Sequence, residues 1–325
     1  MGRLKIVYPV CCGMDVHRDF LIACIAATNA QGVTEYQSRR FSTYTGSLRE
    51  LRDWLLANDC KDVCMESTGK YWFPVHNILE ESCHVVVSHP KFVKAIKGKK
   101  TDKKDAQWIA DLFKHDLVRG SFIPPKDIRQ LRDLCRYWVK LSSYMTGEKN
   151  RAQNCLTVSN FKLDDVFSNV FGKSASAITT QLLEHPGEQF DVAPFVDGRC
   201  KTPIAQIQEA VDGIFTYEQA EKLKIIRGHM DSLERHKAEL ESLILEVAQN
   251  YLPQIELLLT VPGIHDAFTA IRILAEIGAD MTVFDTSKHL CSWAGLTPQN
   301  AESAGKKKTT RIGKSGAYLK PLLIQ

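Results

Sequence analysis

Between Tyr8 and Ser88 the chain sets out three apolar, β-rich runs and then alternates helix with strand, an order that few folds can absorb. Tyr8 to Val16 and Phe20 to Ala27 are strand-like and are joined through Val16-His17-Arg18-Asp19, a hairpin pattern. Gly32 opens a third run, Val33 to Phe41, in which polar and apolar residues alternate. Helical spacing of Leu48, Leu51, Trp54 and Leu55 predicts a helix over 43–57. Asp62 to Met65 is a short apolar strand ending at Glu66, 72–81 reads as helix, and His84 to Ser88 is a strand stopped by Pro90. Helices are predicted over 90–97 and 102–115. The expected product is a mixed sheet with helices on its faces, an α/β domain.

Four carboxylates stand out against that frame. Asp15 sits in Gly13-Met14-Asp15-Val16-His17, and Glu66 in Cys64-Met65-Glu66-Ser67-Thr68. Asp102 and Asp105 sit in Thr101-Asp102-Lys103-Lys104-Asp105-Ala106. The first two end apolar runs, where an unpaired charge is costly. The last two share one helix face. If the strands of Asp15 and Glu66 are neighbours, and the helix crosses their ends, all four acids meet in one crevice. Carboxylates so crowded do not all stay ionised without cations. Magnesium, which prefers oxygen ligands, answers this, and two ions about 4 Å apart serve phosphodiester chemistry. Taken singly, each acid has a blander reading. Asp15 could belong to a hairpin turn, Glu66 could cap a helix, and the pair could offset lysines on a solvated face.

Formal net charge is only +4, so local charge says more. Residues 91–104 carry Lys91, Lys94, Lys97, Lys99, Lys100, Lys103 and Lys104 against Asp102. Near the C-terminus Lys306, Lys307, Lys308, Arg311, Lys314 and Lys320 stand against Glu302. Such patches suit a polyanion, although a solvated lysine-rich surface has the same composition. Charged residues make up 25 % and apolar residues 44 % of the chain, as in globular proteins. No run approaches the roughly 20 apolar residues of a membrane span, and no signal peptide is visible. A cytoplasmic location is expected, with the ten cysteines as reduced thiols. The absence of any C-x-x-C pair speaks against zinc.

From Lys126 the pattern becomes helical, through Ile128, Leu131, Leu134, Trp138, Leu141 and Met145. A second long helix starts near Thr216, expected to cap it with Gln219 as the reciprocal partner. Its stripe of Leu223, Ile226, Met230, Leu233, Leu240, Ile244 and Val247 is broken only by Lys237. A coiled coil, within the chain or between chains, is the expectation; an amphipathic helix packed on its own domain is the alternative. Residues 158–215 show no period and read as an insertion. Pro253 ends the long-helix region. Val261-Pro262-Gly263-Ile264 then leads into an apolar helix through Phe268, Ile271, Leu274 and Ala275, ending near Gly278. Free amides at such a turn suit a phosphate backbone.

In order and wording these motifs resemble the DEDD insertion-sequence transposases, which have a RuvC-like (ribonuclease H-like) N-terminal domain. The class includes Piv-type DNA invertases and bridge-RNA-guided recombinases. The segments that carry the resemblance are Gly13 to His17, Met65 to Gly69 and Thr101 to Ala106. Further on, Val261 to Ile264, Trp293-Ala294-Gly295-Leu296-Thr297-Pro298, Gly305-Lys306 and Arg311-Ile312-Gly313-Lys314 also match. The resemblance implies a RuvC-like catalytic domain over 1–125 and a helical coiled-coil region over 126–254, with the insertion near 158–215. It also implies a mostly helical transposase domain over 255–325. There the apolar run Tyr318 to Gln325 stops without a cap, so a truncated domain is expected.

By the same resemblance Asp15, Glu66, Asp102 and Asp105 are catalytic and hold Mg2+, and a C-terminal serine attacks DNA. The family motif has two serines, two glycines and a basic residue. Here the run is Glu302-Ser303-Ala304-Gly305-Lys306, which keeps the second serine as Ser303 and loses the first serine and first glycine. Ser287 and Ser292 are the alternatives nearby. Nucleic-acid contacts are expected from Lys97, Lys99, Lys100, Lys103, Lys104, Lys306, Lys307, Lys308, Arg311 and Lys314. The implied partners are donor and target DNA, a structured bridge RNA that chooses the target, and further copies of the chain. In a homodimer or homotetramer, one subunit's serine domain would complete another's acidic site. The implied setting is the nucleoid of a prokaryotic cell.

Three rival readings share these features, and one of them, a structural coiled-coil protein, would lose nothing when the acids are neutralised. A junction-resolving nuclease of the same fold would use water and need no serine. A non-catalytic nucleic-acid-binding relative would need none of the acids.

Overall fold

The computed structural model describes residues 4–67, 69–90, 101–298, 301–303, 306–312 and 315–324, with backbone alone over 301–303 and 306–309. They divide into two compact units, Met1–Lys126 and Asp127–Gln325.

The first unit is built on β1 (Val10–Val16), β2 (Phe20–Thr28), β3 (Thr34–Ser42), β4 (Asp62–Glu66) and β5 (His84–Ser88). The strand order is β3-β2-β1-β4-β5. β1, β2 and β3 pair antiparallel; β4 pairs parallel with β1, and β5 with β4. At the first turn the His17 amide donates to the Phe20 carbonyl at 2.9 Å. At the second, Asn29 Oδ1 accepts from the amides of Gln31 and Val33 while Gly32 takes a positive φ of 81°, which the missing Cβ permits.

Both faces of the sheet are covered, which is why β1 reads as a continuous apolar run rather than an alternation. On one face Cys12, Met14, Val16, Leu21, Ala23 and Ile25 pack against α1 (Thr45–Ala57) and α2 (Trp72–Leu79). On the other, Cys11, Ala26 and Cys64 pack against Ile109, Ala110 and Phe113 of α3 (Asp102–Lys114). This is the α/β arrangement of a mixed sheet with helices on its faces expected from the sequence. The helix expected over 90–97 lies outside the described residues, apart from Pro90.

In the second unit α4 (Lys126–Val158) and α8 (Tyr217–Ala248) run antiparallel. Ile128 and Cys135 share a core with Ile244 and Ala248, Leu141 and Met145 with Leu233, and Ala152 and Leu156 with Leu223 and Ile226. The apolar stripe is thus buried inside the chain. Lys237, the break in the stripe, places its ammonium over the Trp138 ring, 4.5 Å from the centroid. Trp138 Nε1 in turn donates to Glu241 at 2.7 Å.

The expected capping box is not formed. Thr216 occupies the N-cap, but its hydroxyl donates to Glu218 two residues on and makes no side-chain cap bond. A carboxylate is the stronger acceptor, and Gln219 Oε1 is buried with no partner.

The aperiodic stretch 158–215 folds into α5 (Leu163–Val166), α6 (Lys173–Glu184) and α7 (Ile204–Ala210). Its Phe161, Leu163, Ile178, Leu182 and Ile207 join the ends of the two long helices in one core. The long helix ends at Ala248 and tightens into a 3-10 turn over Gln249–Tyr251, and Pro253 lies in the first turn of a new helix, α9 (Leu252–Leu259). No N–H is needed there, so proline starts this helix rather than only closing the previous one. The Pro-Gly-Ile turn leads into α10 (Ala267–Ile277), capped by Asp266 and closed by Gly278 at φ 82°. Then follow α11 (Ser287–Trp293), a hairpin of β6 (Ala301–Ser303) and β7 (Lys306–Thr309), and α12 (Lys320–Leu323). Among the described residues no helix is long and apolar enough to cross a membrane.

Candidate active site

β1 and β4 are parallel neighbours in the register Cys11↔Asp62 to Met14↔Met65. One further step sets Asp15 beside Glu66 at the carboxyl ends of both strands. Side chains alternate along a strand, so Asp15 shares the face of Cys11 and Gly13, and Glu66 that of Cys64. This is the face that α3 covers.

α3 reaches the strand ends because Gly13 lets it. A Cβ built on Gly13 would come within 2.3 Å of both the Ala106 carbonyl oxygen and the Ala110 amide nitrogen. With no side chain there, the helix backbone lies directly on β1, and its first turn comes down beside Asp15. Thr101 caps that turn, accepting from the Lys104 amide at 3.4 Å. Asp102 and Asp105 both fall in it, where the helix dipole favours acids. At the far end Lys114 is 7 % exposed. Its ammonium holds Asp111 at 2.9 Å and Thr34 of β3 at 3.2 Å. The backbone carbonyl of Lys114 accepts from Val7 and Tyr8. The helix is therefore tied at both ends.

Two of the acids, Asp15 and Asp102, meet at a histidine, His17. His17 Nε2 lies 3.2 Å from Asp15 Oδ2 and 3.8 Å from Asp102 Oδ1. One donor atom from each of Asp15, His17 and Asp102 lies within 4.8 Å of the other two. Burial holds the Asp15 carboxyl above its ordinary range; His17 opposes this, while the charges of Asp105 and Asp102 add to it. Asp105 is thus within electrostatic reach. Glu66, at the end of the neighbouring strand, falls outside the tight group of three. Convergence is therefore closest for Asp15 and Asp102. Like-charged carboxylates spread apart unless a cation draws them in. The donor set is mainly hard oxygen, which fits a divalent cation such as Mg2+.

Lys103 and Lys104 are exposed on the same first turn of α3. Lys97, Lys99, Lys100 and Lys314 lie outside the described residues. Ser303 belongs to the second unit. Its lysine-rich surroundings form a two-stranded hairpin in which Ser303 pairs with Lys306. Lys307 pairs with Glu302 on the same ladder, Lys308 also lies on β7, and Arg311 follows it, exposed. Ser287 is the first residue of α11 after its Thr286 cap, and Ser292 is exposed near the end of that helix.

Two features of the sequence carry this geometry. A glycine inside an otherwise apolar strand marks close backbone approach, which points to Gly13. A histidine two residues beyond an acid shares its face of a strand, which points to His17.

Two family profiles match the chain. One, a transposase profile of the DEDD class, covers residues 12–160; the other, described as transposase of the IS116/IS110/IS902 family, covers 255–325. Together they span about two thirds of the sequence. No curated protein matches it. Among solved structures, RuvC of Thermus thermophilus is 14 % identical, over 34 % of this chain and 99 % of its own, with a TM-score of 0.29. The same protein in complex with a Holliday junction substrate matches at 13 % identity, over 34 % and 99 %, with a TM-score of 0.27. A Fowlpox virus resolvase in complex with Holliday junction DNA matches at 14 %, over 32 % and 72 %, with a TM-score of 0.22.

Proposed function

The chain belongs to the DEDD transposases of the IS116/IS110/IS902 family and is a DNA transposase/recombinase, and from that premise we propose how its residues cut and rejoin DNA. Asp15, Glu66, Asp102 and Asp105 hold divalent metal, Mg2+ in the first instance and two ions when fully loaded. Bound metal would neutralise the charge that grows on the scissile phosphate and favour loss of the sugar oxygen. The observation that carries this reading is the meeting of Asp15 with Asp102, and with the charge of Asp105, at the strand ends.

Ser303 supplies the nucleophile. Its Oγ loses a proton and bonds to phosphorus, the bond from phosphorus to one sugar oxygen breaks, and that oxygen takes up a proton. Attack by the sugar hydroxyl of the exchanged strand reverses the step and frees the serine. Lys306, Lys307, Lys308 and Arg311 follow Ser303 closely in sequence and are suited to hold the phosphate. The lysines of 97–104 contact the DNA backbone. Target choice falls to a structured RNA paired with donor and target DNA. The working form is a homodimer or homotetramer acting on cellular DNA, in the nucleoid.

The test is trapping of protein–DNA adducts by the purified chain with its co-purifying RNA and DNA bearing the element ends. Ser303→Ala is expected to abolish both the adduct and strand exchange, and Asp15→Ala to abolish both as well. Cleavage that survives Ser303→Ala but not Asp15→Ala establishes the water-using nuclease instead. Activity untouched by Asp15→Ala sinks the metal site. RNA-free preparations that recombine at full rate remove the guide.

A further inference from the structure

His17 stands among the acids with the spacing of a metal ligand. Two donors on adjacent positions of an octahedral ion, with bonds of about 2.1 Å, lie about 3 Å apart. His17 Nε2 and Asp15 Oδ2 are 3.2 Å apart, Asp102 Oδ1 lies 3.8 Å from the same nitrogen, and the three donors lie within 4.8 Å of one another. The side chain is 40 % exposed, open to a cation from solvent, while Asp15 beside it is mostly covered.

The ring is also held in place. The backbone amide of His17 donates to Phe20, and its imidazole packs on the Phe20 ring at 4.7 Å between centroids. Phe20 is itself covered by the Arg40 guanidinium, 4.0 Å above its ring. The imidazole therefore stays on the acid side of the turn.

Resting on the metal-site reading above, we infer that His17 adds a nitrogen ligand to the carboxylates and biases the site toward Mn2+ over Mg2+. Mg2+ holds to oxygen donors and its own waters. Imidazole suits transition-metal ions, and Mn2+ also accepts carboxylates. A mixed set of one imidazole and several carboxylates fits Mn2+ better than it fits Mg2+. The same 3.2 Å contact would also arise if His17 only donated a hydrogen bond to Asp15 to orient it, and the two roles differ in what a bound ion senses.

The experiment takes the full chain, stripped with chelator and reloaded with Mn2+, and records the spin-echo modulation of the bound ion. Wild type is expected to show coupling to an imidazole 14N nucleus. His17→Ala and His17→Asn, whose folding is checked by thermal unfolding, are expected to lose it. Mn2+ affinity should fall at least roughly tenfold in both variants, while Mg2+ affinity changes much less. Bound Mn2+ without nitrogen coupling, lost in Asp15→Asn, overturns the role of His17 and keeps the carboxylate site. Equal weakening of both cations in the His17 variants overturns it too, in favour of an orienting hydrogen bond. Mn2+ that binds neither wild type nor Asp15→Asn removes the metal site itself and the inference with it.

Discussion

Gly13 and Ala106 are in backbone contact: a methyl group on Gly13 would sit 2.3 Å from the Ala106 carbonyl oxygen. The helix that carries two of the four acids rests on the strand that carries the first, with no side chain between them.

Gly13→Ala is therefore expected to lift α3 from the sheet. The clash is with backbone atoms, so no neighbouring rotamer relieves it. Overpacking of this kind costs about 1–3 kcal/mol, readable in denaturant unfolding. Activity should fall further than stability does, because the shift draws Asp102 and Asp105 away from Asp15. Gly228→Ala is the control. Gly228 lies within α8 with nothing within 4 Å of a built Cβ, and alanine there should stabilise by up to about 1 kcal/mol. A Gly13→Ala protein as stable and active as wild type would show that α3 has room to spare.

Asp15 sets a pH dependence. Burial, with Asp105 and Asp102 adding and His17 opposing, holds its carboxyl above the ordinary range. The folded chain thus binds this proton more tightly than the unfolded chain does. That contribution to stability is complete below the unfolded value and is lost as pH rises through the folded one. In chelator at neutral pH, Asp15→Asn should melt above wild type, and the gap should close at pH values below the ordinary carboxylate range. Mg2+ or Mn2+ should raise the wild-type Tm at neutral pH and leave Asp15→Asn nearly unchanged. Calorimetry with and without chelator checks both, and an Asp15→Asn protein that melts below wild type in chelator at neutral pH contradicts the account.

Thiol reactivity tests the cores. All ten cysteines are free; eight are buried, Cys200 is half-buried and Cys291 is exposed. Burial pushes the thiols of Cys11, Cys64 and Cys135 up to about 12, and that of Cys60 higher still. The thiolate is the reactive form. At mildly alkaline pH an aromatic disulfide reagent should therefore titrate only Cys291 and Cys200 in the native chain, and all ten in denaturant. Rapid modification of Cys11 or Cys64, identified by mass spectrometry, would show that the core beneath α3 opens.

Local pattern determined a good deal. The strand runs from Tyr8 to Ser88, the helices over 43–57 and 102–115 and the two long helices are all legible, because periodicity records which residues turn inward. The acids at the ends of those runs were legible for the same reason, and the motif order pointed to the family. Residues 158–215 were not legible. Short helices of four to twelve residues that bury Phe161, Ile178 and Ile207 against the ends of longer ones leave no sustained period. The Thr216 cap was not legible because its hydroxyl is drawn to the Glu218 carboxylate two residues on, and no short pattern shows which acceptor that hydroxyl finds.

Tertiary structure alone decided which surfaces meet. An apolar stripe says that a helix needs cover but does not name the cover. Only the fold assigns the stripe of α8 to α4 of the same chain. Only strand pairing puts Asp15 beside Glu66 across a crossover of some fifty residues. Only the close approach at Gly13 brings Asp102 down to Asp15 and His17. Contacts distant in sequence depend on shape and volume summed over many residues, and no short window of sequence contains that sum.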